Sequence, residues 1–216
     1  MNTCTVAGID VGGDKKGCHL VILEGGRAFR PPDAKTPQQM LQACLEYDVQ
    51  AVGIDAPCRW GVEGEGRRAE RELARQHIFS FATPTRKRAD ENPSRFYRWM
   101  FNGEQIYEVF SSTWPLLASR AFEGGRVSFE TFPHAVTCAL RGKEGTSAKQ
   151  KRWQRPKVLE SAKIDASGLK SIDDFDAALC ALCARYLIEG QTYAYGDTKG
   201  GYIHVPIPLA LNMRHQ

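Results

Sequence analysis

The stretch Val6-Ala7-Gly8-Ile9-Asp10-Val11-Gly12-Gly13, followed by Lys15, Lys16 and Gly17, decides how the chain is read. It is an apolar strand that carries one carboxylate to its end and then breaks into a glycine turn. A buried carboxylate without a partner is costly, so Asp10 predicts a metal ion or hydrogen bonds beside it. Residues 17–24 (Gly-Cys-His-Leu-Val-Ile-Leu-Glu) supply a second strand, and the Gly12-Gly13-Asp14 turn makes the pair a hairpin. A third short strand is expected after Gly25-Gly26, stopped by Pro31-Pro32.

The pattern returns further along. After a helix expected to start at Thr36-Pro37, with Met40, Leu41, Cys44 and Leu45 on its apolar face, comes Ala51-Val52-Gly53-Ile54-Asp55-Ala56-Pro57. This is again an apolar strand ending in an aspartate. Val127-Ser128-Phe129-Glu130-Thr131-Phe132-Pro133 alternates like a third such strand and places Glu130 near its end. Buried strands that deliver acids at their C-terminal ends are how an open α/β sheet builds a site. Acids that only cap the following turn are the alternative.

A late helix is expected from Ile172 to about Glu189, with Ser171 as N-cap and Asp174 as its capping-box partner. At 3.6 residues per turn Asp173 and Asp176 fall roughly 60° apart on one flank, whereas Asp174 lies on the other side. Alanines at 177, 178 and 181 let such a helix lie close to a sheet and bring the two aspartates toward the strand-end acids.

Between these elements lie basic and aromatic stretches. Residues 63–76 read as a charge-rich helix, and Thr83-Pro84-Thr85-Arg86-Lys87-Arg88 as a loop with three consecutive cations. From residue 93 to 122 a helical insertion mixes cations with Phe96, Tyr97, Trp99, Phe101, Tyr107, Phe110 and Trp114, a set that either fills a core or stacks bases. Residues 141–157 carry seven cations against one anion around Trp153, including Lys151, Arg152 and Arg155. That density suits phosphate contacts, or else a solvated basic face. Residues 193–206 read as a C-terminal hairpin around Lys199-Gly200-Gly201, an edge element.

Composition sets the outer limits. With 216 residues, 42% hydrophobic and 25% charged, the sequence is that of an ordinary globular protein, expected to be one domain spanning 1–216. No apolar run reaches the ~18 residues of a membrane span and no secretory leader is evident, so a cytoplasmic protein without a membrane partner is expected. Seven cysteines suit reduced thiols, and the Cys180-x-x-Cys183 pair, inside a helical stretch, reads as packing. The five histidines show no zinc spacing, and neither G-x-S-x-G nor G-x-x-x-x-G-K-[ST] occurs. No oligomeric state is legible.

Carboxylates at Asp10, Asp55, Glu130, Asp173 and Asp176 suit hard cations such as Mg²⁺ or Mn²⁺. Two such ions about 3.5–4 Å apart can activate water against a phosphodiester. Lys16, Arg86, Lys87, Arg88, Lys151, Arg152, Trp153 and Arg155 are then the candidate contacts to a nucleic-acid substrate, DNA or RNA.

The arrangement resembles the ribonuclease H-like superfamily, and the Asp173-x-x-Asp176-Ala177-Ala178 run is similar to the last acidic motif of its Holliday-junction resolvases. More narrowly, Gly8-Ile9-Asp10, Ile54-Asp55-Ala56-Pro57, Glu130-Thr131-Phe132-Pro133, Asp173 to Ala178 and the closing Gly-Gly-Tyr-Ile-His-Val-Pro (200–206) resemble the family called domain of unknown function 429, described as predicted nucleases. The resemblance implies an α/β fold with a five-stranded mixed sheet in the order 3-2-1-4-5, strand 2 antiparallel, flanked by helices. It also implies metal binding by Asp10, Asp55 and Asp176, with Glu130 or Asp173 as a further ligand, and hydrolysis of nucleic-acid phosphodiesters. Two alternatives stand beside it. Asp10-Val11-Gly12-Gly13 with Lys16 also resembles the first phosphate loop of actin-like sugar kinases, and the basic 141–157 segment suits a catalytically silent nucleic-acid-binding protein.

Overall fold

The computed structural model describes residues 4–207; residues 1–3 and 208–216, the two ends of the span read as one domain, lie outside them. The chain opens with the expected hairpin, β1 (Val6–Val11) and β2 (Cys18–Glu24), followed by β3 (Arg27–Phe29). In the connecting turn the amides of Lys16 and Gly17 both donate to the carbonyl of Gly13. The residue with positive φ is Gly17, at +69°, not Gly12 or Gly13. Gly12 is needed for a different reason: a Cβ there would sit 2.2 Å from the carbonyl oxygen of Gly17.

Helix α1 (Pro37–Glu46) starts as read, with a capping box between Thr36 and Gln39. Strand β4 (Ala51–Asp55) pairs in parallel with β1, and after the insertion β5 (Val127–Thr131) pairs in parallel with β4. The insertion contains α2 (Arg68–Arg75), α3 (Arg86–Asp90) and α4 (Arg98–Phe110). The three-cation stretch expected as a loop is therefore the start of α3, because the Thr85 side chain accepts the Arg88 amide and caps it. Then come α5 (Pro133–Arg141), α6 (Lys151–Ser161) and α7 (Ile172–Ile188), and finally β6 (Thr192–Asp197) and β7 (Gly201–Pro206).

The strands form one sheet in the order β3-β2-β1-β4-β5-β7-β6. Its first five members reproduce the order 3-2-1-4-5 with strand 2 antiparallel, so the fold is ribonuclease H-like. The sheet has seven strands, not five, because the closing hairpin joins it: β7 pairs in parallel with β5 and antiparallel with β6. Only β6 is an edge. Every residue of β7 is buried, since Ile203 and Val205 pack on Ala69 and Leu73 of α2.

Helices cover both faces. Met40 and Cys44 of α1 and Ile106 and Phe110 of α4 pack on Ala7, Ile9, Val52 and Ile54. On the other face α7 is buried nearly all round between the sheet and α5 and α6. Its approach to the sheet is backbone to backbone. A Cβ on Gly8 would lie 2.1 Å from the Ala177 carbonyl oxygen, and one on Gly53 2.5 Å from that of Cys180. Cys180 and Cys183 are free and buried in this helix, where they fill space. Among the described residues no helix is long and apolar enough to cross a membrane.

Candidate active site

Side chains alternate across a strand, so the glycines that admit α7 also set the direction of the acids. Asp10 lies two residues beyond Gly8 and Asp55 two beyond Gly53, and both therefore face α7. They are also directly opposite one another in the parallel β1–β4 register. Two carboxylates are thus held side by side at the C-terminal end of the sheet.

Their electrostatics follow from that placement. Burial is the largest cause raising Asp10, to a pKa of about 6, and the nearby charge of Asp173 adds to it; His19, Arg155 and Lys16 pull it back. Asp55 is raised well above the usual carboxylate range by burial first and by Asp10 second, with a hydrogen bond between the two side chains. The pair holds a proton more readily than either acid would alone.

The neighbours come from three directions. Asp173 enters from the first turn of α7 and pairs with Lys16 of the hairpin turn at 3.4 Å. Asp176, one turn on, is buried and in contact with Arg155 Nη1 from α6. Lys151 completes a cationic wall: burial lowers its pKa first, and the adjacent charges of Arg155 and Lys16 lower it further. Asp174 plays the capping part read from the sequence, accepting the Ser171 amide while Ser171 Oγ accepts the Asp174 amide. It also bonds His19 Nδ1 at 2.8 Å and pairs with Arg30 at 3.3 Å.

Glu130 is placed apart from this group. It is opposite Ile54 in the β4–β5 register, one residue short of Asp55, and so faces the α4 side of the sheet. There Arg67 Nη1 and Nη2 donate to its two oxygens at 2.8 and 2.5 Å, and the Cys58 amide donates at 2.8 Å. Arg67 is itself fully buried, with its Nε donating to the Gly200 carbonyl at 2.7 Å. Glu130 touches the acid pair only through its charge, which raises Asp55.

The family model described as "Protein of unknown function (DUF429)" matches residues 8–199. The chain belongs to this family. No curated protein matches it. Among solved structures it is similar to Thermus thermophilus RuvC, with 14% identity, a TM-score of 0.40, and coverage of 86% of this chain and 96% of that one. That likeness is too distant to give any residue a role.

The cations predicted to meet a substrate separate into kinds. Arg155 is buried against Asp176 and acts as an internal counter-ion, not as a surface contact. Arg86 is paired with Glu104 at 3.1 Å and Lys87 with Glu91 at 3.9 Å, whereas Arg88 and Arg152 are exposed without an ion pair among the described residues. Trp153 is 54% exposed, with Lys157 Nζ 4.1 Å and Arg141 Cζ 5.3 Å from its ring. Four partners in this family member escaped the sequence reading: Arg67, His19, Arg30 and Asn102, whose Nδ2 donates to the Gly12 carbonyl at 2.8 Å. Each acts across a long sequence separation, and none belongs to a motif. Among the described residues no group of three or more His, Cys, Asp or Glu side chains is disposed to hold a metal ion.

Proposed function

We propose that the chain is a metal-dependent phosphodiesterase acting on nucleic acid. The observation that carries this reading is the Asp10–Asp55 pair, two buried carboxylates opposed in register, both pushed up in pKa and overlooked by Lys16 and Lys151. The all-oxygen donor set fits a hard divalent cation such as Mg²⁺ or Mn²⁺, which would relieve the repulsion between the two carboxylates. Asp10 and Asp55 would hold it, with Asp176 as a third ligand when released by Arg155. Bound there, such an ion supplies Lewis acidity and lowers the pKa of a coordinated water. Glu130 and Asp176 are held by arginines, so the donors at hand suit one ion, and the two-ion arrangement needs Asp176 or Asp173 in addition.

The chain's own groups do the remainder. Lys16 and Lys151, beside the acids, are the contacts for a phosphodiester, and the exposed Lys149, in the turn before α6, with Arg152 and Lys157 on it carry the same positive surface onward. Purified protein with Mn²⁺ or Mg²⁺ is expected to cleave a labelled oligonucleotide or branched junction, and Asp10→Asn and Asp55→Asn to lose that activity. Equal trace cleavage by wild type and both variants across a broad substrate panel sinks the assignment.

One observation favours a second reading. Arg155 already lies among the carboxylates and supplies a positive charge to Asp176, Asp10 and Asp55. A protein that keeps this counter-ion in place binds nucleic acid without cutting it. Salt-sensitive binding that survives both Asp→Asn changes, with no cleavage, is its signature.

A further inference from the structure

The acid pair has a second neighbour that the phosphodiesterase reading leaves unused. At the ends of β4 and β5 a small cavity of about 50 Å³ is lined by Asp55, Ser80, Phe81, Thr83, Trp99 and Phe132. The Ser80 hydroxyl there is buried and lacks a hydrogen-bond partner. Phe81 and Thr83 also line a groove of about 760 Å³, whose further wall holds Lys87, Arg88, Tyr97 and the turn around Gly64 and Gly66. Glu70 and Glu130 also line the small cavity, so the groove runs up to the strand ends at Asp55 and Glu130, and of the acid pair it reaches Asp55.

Phe81 and Tyr97 of its wall belong to an aromatic cluster that continues beyond it to Phe96 and Trp99. The Phe81 ring centroid lies 5.4 Å from Phe96, 6.1 Å from Tyr97 and 6.0 Å from Trp99. Phe81 is 43% and Phe96 56% exposed, a large apolar surface to leave in water unless something stacks on it. The charges identify the occupant. Glu63, Glu65 and Glu91 line the groove beside Lys87 and Arg88, so it is not a track for a run of phosphates. It suits one base, with aromatic faces to stack it, carboxylates to meet its polar edge, and Arg88 for a single phosphate. A volume of this size falls in the ~300–1,000 Å³ range of small-ligand sites.

We infer that this groove receives an unpaired nucleotide next to the phosphodiester held at Asp10 and Asp55, so that the substrate is a single-stranded or unstacked segment and not a continuous duplex. The inference rests on the phosphodiesterase reading and gives that site its substrate class. The phosphate backbone then lies along α6 on the α7 side, and the base crosses to the insertion.

The test is equilibrium binding without divalent cation, using three probes that carry 2-aminopurine at one position: single-stranded DNA, single-stranded RNA of the same sequence, and the DNA duplex. A single strand is expected to bind more tightly than the duplex, with its 2-aminopurine fluorescence quenched. Phe96→Ala and Phe81→Leu, the second keeping packing volume without a ring, should weaken single-strand binding roughly 5- to 150-fold and relieve the quench. Duplex binding should not change. Lys151→Ala should weaken all three probes, which tests the phosphate side alone. Preference for DNA or for RNA names the source of the segment and supports the inference either way. If single strand and duplex bind alike, or the aromatic variants leave the quench intact while Lys151→Ala weakens binding, the groove assignment falls and the phosphodiesterase reading stands. If no probe binds, both fall.

Discussion

Asp55 and Glu130 sit on neighbouring parallel strands, one step apart in register, and their surroundings could hardly differ more. Glu130 faces the α4 side, where Arg67 grips both its oxygens and the Cys58 amide adds a third bond. Asp55 faces α7, where its nearest charged neighbour is another carboxylate. The first is an internal tie that joins β5 to α2 and, through the Gly200 carbonyl, to the closing hairpin. The second is a charge arrangement kept under tension. An acid at a strand end is thus not a site in itself; the face it points to and the partner waiting there decide its part.

Breaking the tie should have the largest effect. Arg67→Ala leaves a buried carboxylate without its counter-charge and is expected to destabilise the protein by about 3–5 kcal/mol, read from urea unfolding. Combining it with Glu130→Gln should recover a good part of that loss. A double variant no more stable than Arg67→Ala alone would mean that Glu130 is not what Arg67 serves.

The tense pair should respond with the opposite sign. The folded-state pKa of Asp10 lies near 6 against an ordinary 3.8, so in the metal-free protein the folded form binds the extra proton between those values. Its contribution to stability is present below about pH 4 and is lost as pH rises through 6. Asp10→Asn is therefore expected to raise metal-free stability at pH 8 by about 1–3 kcal/mol, with the gain vanishing near pH 4. Mn²⁺ at 100 times its Kd should stabilise wild type by ~2.7 kcal/mol and leave Asp10→Asn unmoved. Equal Mn²⁺ responses in both proteins would place the ion elsewhere.

A smaller term must be separated from that pH profile. His204 on β7 is buried between the rings of Phe129 and Tyr202, and burial lowers its pKa to about 4 from 6.5. The unfolded chain takes up this proton first as pH falls, so stability is lost between pH 6.5 and 4, the reverse of Asp10. The expected loss from pH 7 to 5 is about 1–2 kcal/mol, and His204→Phe should remove that slope. A slope unchanged in the variant would assign it to another group.

Much of this layout is legible in the sequence, because the informative features are local. Apolar runs ending in Asp10 and Asp55, a Thr36 cap, and the Ser171–Asp174 capping box each declare themselves within a few residues. The first five strands and their order follow. What escapes is set by distance. Arg67 stands 63 residues before Glu130 in a charge-rich stretch with Arg68 and Arg71 exposed beside it, and nothing local marks it as buried. The orientation of Glu130 depends on a one-residue register offset that only strand pairing fixes. Arg155 reads as one of seven cations in 141–157, yet the start of α6 turns it inward to Asp176. The closing hairpin reads as an edge element and does end the sheet with β6, but that its β7 pairs with β5 and so extends the sheet to seven strands is a long-range fact its own residues do not carry.

The two glycines beneath α7 have a mechanical consequence. With main chain against main chain at Gly8 and Gly53, the helix and the two acid-bearing strands behave as the fixed jaw of a vice, whose opening no side-chain exchange can adjust. The opposite jaw is α6, which is seated on the core by Val158 and Leu159 but meets the acids through the long side chains of Lys151 and Arg155. Efforts to retune what this centre grips belong on that jaw, and a methyl group added to the fixed one should spoil the tool before it changes the grip.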